Sequence, residues 1–220
     1  MDAQPEAATE KAAGAGQTYR FLSSVFRQPP ARDWFERLKS PEISTALGLL
    51  AETFGRRENP AALLDDFEHL RRDYAELFEI PAGRFVAACE SRYVEIPDDA
   101  APPSVRMLEV YHACGFVFDA GTPVAPDHLS AQLEFLGHLA AAEEEALLNR
   151  DDCRASIVRL TALDLIDYHL LDWVPRFISA LRAVHGHPFY VTMAELTGDH
   201  IRRERMRLVA AIEGGTRSVH

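Results

Sequence analysis

Much that would announce a chemistry is scarce or missing in this sequence. There are three cysteines, Cys89, Cys114 and Cys153, far apart and forming no C-x-x-C pair. That spacing fits reduced thiols in a cytoplasm better than a disulfide framework or a thiolate zinc site. Positive charge is also short: 23 Lys and Arg stand against 34 Asp and Glu, a net charge of −11. Phosphate binding needs concentrated Lys and Arg, so nucleic acid is disfavoured as a partner and a basic peptide is favoured. No apolar run approaches the ~20 residues of a membrane span. The first sixteen residues, rich in Ala, Glu and Gly, lack the basic-then-apolar order of a signal peptide and read as a disordered lead-in. A cytoplasmic location follows as the expectation.

Catalytic signatures are missing too. The nine histidines include no H-E-x-x-H pair, and His185 and His187, straddling Gly186 in a turn, do not make a site alone, so no metal is expected. G-x-S-x-G, G-x-x-x-x-G-K-[ST] and G-x-G-x-x-G do not occur, which leaves no visible nucleophile elbow or phosphate cradle. No cofactor and no catalytic residue are assigned, and the chain reads as a non-enzyme.

What is present is helical periodicity. Segments at 18–26, 33–38 and 41–54 carry apolar residues at helical spacing, with Pro29 and Pro30 closing the first. Pro60 to Phe78 reads as one amphipathic helix with Leu63, Phe67, Leu70, Tyr74 and Leu77 inward. Periodicity then fails from Ile80 to Pro103, a loop of about twenty residues, a length that is usually functional or mobile. It carries Glu90, Ser91 and Tyr93 and an acidic run of Glu95, Asp98 and Asp99. Helix resumes at 104–117, with Leu108, Tyr111 and Cys114 as its inner face, and breaks again from Gly115 to Ala125. Beyond Asp151 a stripe of Leu163, Ile166, Leu170, Trp173, Phe177 and Leu181 holds helical spacing. Pro175 either kinks that helix or sits in the first turn of a new one capped by Asp172, and the second reading is preferred. Residues 196–212 form the last helix, and Gly214-Gly215 frees a tail at 214–220. The expected architecture is all-α: one compact helical bundle over 17–213.

The most informative stretch is Pro126-Asp127-His128-Leu129 and its continuation to Leu139. As a helix it aligns Leu129, Leu133, Leu136 and Ala140 as a buried stripe, widened by Phe135 and Leu139. Pro126 stops any earlier helix, and Asp127 is placed to cap the new one. Asp127, Glu134 and His138 share a polar flank.

Pro126-Asp127-His128-Leu129 followed by Leu133-Glu134-Phe135-Leu136 resembles the signature of the TorD/DmsD/NarJ family, chaperones dedicated to molybdenum-cofactor oxidoreductases. Ala125 stands where many members have an acid. Other stretches resemble the same family: Tyr74-Ala75-Glu76-Leu77-Phe78, Glu90-Ser91-Arg92-Tyr93, His169-Leu170 with Trp173 and Pro175, and Phe189-Tyr190. The resemblance covers about residues 17–212. It implies a TorD-like helical bundle without a cofactor of its own. The implied role is to bind the twin-arginine signal peptide and the apo catalytic subunit of a molybdopterin oxidoreductase, assisting cofactor insertion and delaying export.

A leader of that kind has a basic region followed by an apolar one, which calls for a hydrophobic groove with carboxylates near one end. The residues expected at it are Asp127 and His128 first, with Pro126, Leu129, Glu134, Glu90, Ser91, Tyr93, Phe78 and Trp173. Trp173 reads as core ahead of groove wall, and Glu134 has the alternative of a solvated helix residue. Two other readings stay open: an adaptor gripping a folded partner through the acidic loop, and a small enzyme using Asp127 and His128.

Overall fold

The computed structural model describes residues 3–119, 121 and 124–217. Among them the regular structure is helical, with one isolated antiparallel bridge, Cys89 to His128. The all-α class expected from the periodicity is the one observed. The helices are α1 (Ala3–Arg27), α2 (Arg32–Leu38), α3 (Pro41–Thr53), α4 (Phe67–Tyr74), α5 (Pro103–Ala113), α6 (Leu129–Leu148), α7 (Asp152–Leu165), α8 (Leu171–Ala183) and α9 (Pro188–Arg217). They gather into two compact units: one of the residues up to Arg27, Cys89–Trp173 and the chain from Ile201 on, the other of Gln28–Ala88 and Val174–His200.

The first unit is built on α6. Leu129, Leu133, Phe135, Leu136 and Leu139 are buried as the spacing predicts, but so are Ser130, Gln132 and Glu143. A helix buried on nearly every side needs partners for its polar groups, and it has them. Arg159 and Arg207 reach Glu143 at 2.6 and 2.8 Å, and Arg207 also bonds Glu204 at 2.7 Å. Burial opposes ionisation of Glu143, but the bonds from Arg207 and Arg159 outweigh it and hold the carboxyl below its ordinary value.

Helix α1 packs along α6, and the two backbones approach closely where glycines face each other. A Cβ on Gly16 would lie 3.4 Å from Ala140 Cβ, and one on Gly137 would lie 3.2 Å from Arg20 Cγ and 3.5 Å from the Gly16 carbonyl oxygen. This corrects the expectation of a disordered lead-in over 1–16. Helix begins at Ala3, and Ala12 and Ala15 are buried; small residues there serve contact rather than flexibility. Helix also continues through Gly214-Gly215 to Arg217, where a free tail was expected. Residues 1–2 and 218–220, parts of those two segments, lie outside the described residues, as do 120, 122 and 123 of the break before Ala125.

In the second unit the single helix expected over 60–78 is divided. A 3-10 turn, Pro60–Leu63, ends before Asp65, and Asp66 caps α4 by accepting from the His69 amide at 2.9 Å. Leu64 is buried and Leu63 half-buried, one position off the stripe. The aspartate pair offers a cap that competes with continuing helix. A π-helical turn, Ala75–Glu79, follows α4, and another, Ile166–Leu170 of the first unit, precedes α8. Pro175 starts no new helix: α8 runs through it. The widened turn just upstream absorbs the distortion that a proline imposes on the preceding turn. Aromatic side chains fill this unit, with Tyr74, Phe78 and Tyr190 in mutual edge contact and Phe35 against Phe67.

Helix α5 is shorter than the expected 104–117. Gly115, at φ +70°, ends it, and Phe116 N–H returns to the Tyr111 carbonyl at 2.9 Å. Met107 and Tyr111 form its inner face, while Leu108 is 42% exposed and Cys114 half-buried.

Candidate functional site

The motifs singled out in the first unit converge on Glu90. Its carboxylate is buried, accepts from Gln132 Nε2 at 2.7 Å and meets His169 Nδ1 at 2.9 Å. Arg106 Nη2 stands 3.8 Å away. Gln132 Oε1 in turn accepts from the Trp173 indole N–H at 3.2 Å, and Tyr93 stacks on Trp173 with centroids 5.7 Å apart. Loop, α6 and the start of α8 are thus joined through one buried polar chain. Such a chain specifies a unique packing when each member has a partner.

The turn from Pro126 to His128 is held at every residue. Tyr111 Oη donates to the Pro126 carbonyl at 2.8 Å, and Glu90 N–H donates to the Asp127 carbonyl at 3.0 Å. Asp127 Oδ2 accepts from Ser91 N–H at 2.9 Å. Asp127 is therefore not the cap of α6, and at 1% exposure it presents no carboxylate to solvent. The cap is His128, whose Nδ1 accepts from Ser130 N–H at 3.2 Å. Burial, with a smaller contribution from Arg27, lowers the imidazole pKa to about 4 against the opposing pull of Asp127. His128 is neutral at pH 7, which suits an acceptor. The neighbouring Cys89 thiol is pushed up to about 12 by burial and then by Asp127, so it is no nucleophile.

Of the residues expected at the site, Glu90, Ser91, Tyr93, Asp127, His128 and Trp173 are brought together, with Pro126 in the same turn. Leu129 and Trp173 are fully buried core. Glu134 is half-buried and ion-paired with Arg27 at the end of α1. Phe78 lies in the other unit, against Tyr74, Tyr190 and Phe177.

Sequence reasoning missed the groove beside this cluster. Leu108, Tyr111, His112, Gly115, Phe116, Val117 and Phe118 line a hollow of about 380 Å³. Tyr111 stacks on Phe118 and meets Phe116 and Phe135 edge-on. Burial above all, then the charges of Asp127, Glu134 and Glu90, hold the Tyr111 phenol above its ordinary value. The hollow thus opens beside Tyr111, whose hydroxyl is turned to the Pro126 carbonyl. The signal in the sequence was Phe116-Val117-Phe118 directly after Gly115, an apolar run in what reads as a break.

Among the described residues no helix is long and apolar enough to cross a membrane. Compared with known protein families, residues 37–179 match the nitrate reductase delta subunit family. A selenate reductase assembly chaperone protein from Thauera selenatis is 36% identical over 193 residues, covering 86% of this chain and 87% of that protein. A chaperone protein TorD from Vibrio cholerae is 24% identical over 199 residues, 86% and 89% of the two chains. A putative redox enzyme maturation protein from Archaeoglobus fulgidus, known from its crystal structure, superposes with TM-score 0.49 at 20% identity over 88% of this chain and 93% of that one. The chain belongs to the nitrate reductase delta subunit family, the NarJ/TorD family that its motifs resemble.

Proposed function

We propose that the protein is a cytoplasmic maturation chaperone for the catalytic subunit of a molybdopterin-dependent reductase. It binds that subunit's arginine-led leader while the subunit is still without cofactor, and so delays export. The observation that carries this reading is the apolar hollow around Tyr111, with Glu134 the accessible carboxylate acting near it. An apolar leader segment fits the hollow, and the carboxylate of Glu134 takes a basic residue ahead of it.

The expected site residues divide by exposure. Glu134, Tyr93, Ser91 and the edge of His128 are accessible enough to touch a peptide, and a leader arginine at Glu134 displaces Arg27. Asp127, Glu90, Leu129 and Trp173 act from beneath, holding the Pro126–His128 turn and the loop in place. The names of the relatives, a reductase assembly chaperone and chaperone TorD proteins, support the same role.

The test is titration of a fluorescent peptide, two arginines followed by an apolar stretch, into the full chain. Leu108→Glu and Val117→Glu alter side chains that are 42% and 87% exposed, so the fold survives them. Each weakens binding at least about tenfold, about 1.4 kcal/mol. Unchanged affinity in both refutes the groove assignment. If instead a change at Glu95, Asp98 and Asp99 alone abolishes capture of the reductase subunit, the adaptor reading holds.

A further inference from the structure

Nothing in the proposed leader binding uses the second unit's histidines, yet two of them meet there around one carboxylate. Asp65 lies in the turn before α4, His69 in the first turn of α4, and His187 immediately before α9. His69 Nδ1 is 2.8 Å from Asp65 Oδ2, and His187 Nε2 is 3.3 Å from Asp65 Oδ1. The two imidazole centroids are 4.9 Å apart, and one donor atom from each of the three residues falls within 4.8 Å of the others. We propose that Asp65, His69 and His187 form a site for a divalent transition-metal ion of the zinc class, with water completing the coordination.

The donor set is the first argument. Two imidazoles and one carboxylate suit zinc and its neighbours, and hard cations such as calcium and magnesium prefer all-oxygen cages. The second is preorganisation. His187 is buried, its ring aimed at the carboxylate, and the turn that delivers it is fixed: Gly186 N–H bonds the Leu181 carbonyl at 3.0 Å, and a Cβ on Gly186 would come within 3.1 Å of that oxygen. The third is what stands behind His69. Its Nε2 faces Asp73 Oδ1 at 3.9 Å, and Asp73 is held by Arg84 at 3.2 Å. A carboxylate on that side favours the tautomer with the proton on Nε2, which leaves Nδ1 for the ion. Arg84 neutralises Asp73, so Asp65 is the carboxylate left for the ion.

Proton placement sets the cost. In the metal-free arrangement both histidines turn an N–H toward Asp65. Each neutral imidazole carries one proton, so when an ion takes the nitrogen facing Asp65 the proton of His69 moves from Nδ1 to Nε2, toward Asp73. His187 must carry its own on Nδ1, giving up the bond it accepts from Phe189 N–H at 3.2 Å. Three hydrogen bonds, two to Asp65 and one from Phe189, are thus exchanged for three metal–ligand bonds.

The full chain, stripped with chelator, is titrated with zinc by calorimetry and with cobalt by absorption. Expected is one equivalent bound with micromolar affinity, a cobalt spectrum free of thiolate charge transfer, and a melting temperature raised by zinc. His69→Ala and Asp65→Asn each weaken binding at least about tenfold and abolish the rise in melting temperature, while Cys153→Ser changes neither. Both altered residues are at or near the surface, and circular dichroism confirms the variants are folded. Equal zinc affinity in wild type and both variants, a thiolate band lost in Cys153→Ser, or binding only at millimolar zinc each overturns the site.

Discussion

His128 couples the start of the central helix to pH, and the coupling has a definite sign. The imidazole must be neutral to accept the Ser130 amide, and burial lowers its pKa from 6.5 to about 4. Above pH 6.5 neither folded nor unfolded chain holds the proton, and the cap contributes fully. Below about pH 4 both hold it. Between the two only the unfolded chain is protonated, so stability falls as pH falls through this window. At about 1.4 kcal/mol per tenfold change, the gap amounts to about 3 kcal/mol. The comparison that isolates it is His128→Asn, since asparagine is a good N-cap and does not titrate. Urea unfolding of both proteins from about pH 7 to about pH 4 gives the difference in stability directly. That difference should be flat at the upper end and move by about 3 kcal/mol against the wild type toward the lower. A difference independent of pH, or one that favours the wild type in acid, refutes the argument.

Other perturbations have equally definite outcomes. Asp127→Ala strands the part-buried Ser91 amide and should cost about 1–3 kcal/mol, read as a lower melting temperature. Glu90→Ala should cost about 3–5 kcal/mol, because Gln132 and His169 are left facing an empty buried site; quenching or red shift of Trp173 fluorescence reports the disturbed Tyr93 stack. Gly137→Leu drives a side chain into α1 beside Gly16 and Tyr19, and denaturant midpoints should show a loss of at least about 1–3 kcal/mol.

Long-period features were legible in the sequence and local competitions were not. The stripe through Leu129, Leu133 and Leu136 and the stripe through Ile166, Leu170, Trp173 and Phe177 are buried as expected, because burying so much apolar surface admits few alternatives. At Asp65-Asp66 and Gly115, single residues with strong local preferences ended helices that apolar spacing alone would extend. At α1 the error ran the other way: alanines and glycines, flexible by composition, are what lets two helix backbones touch. Asp127 shows the limit for sites. Its place beside Pro126 marks a conspicuous turn, but whether a carboxylate faces water or a backbone amide depends on Ser91, 36 residues away. The pairing of His187 with Asp65 spans 122 residues and leaves no trace in spacing.

The connection between α4 and α5 gains a particular character from being stapled partway along. Val86 N–H is tied to the Leu77 carbonyl in one unit, and Cys89 to Tyr93 are tied to the α6 entry and Trp173 in the other. A tether fastened at its middle behaves as two short ones, and the entropy of closing each is small. Beyond the second fastening, the stretch from Glu95 to Ala101 is exposed over most of its length and held by one turn bond, Ala100 N–H to the Pro97 carbonyl. Proteases should therefore nick there first, and extra residues inserted there should leave the buried polar chain intact, whereas a single insertion between Cys89 and Tyr93 should unpick it.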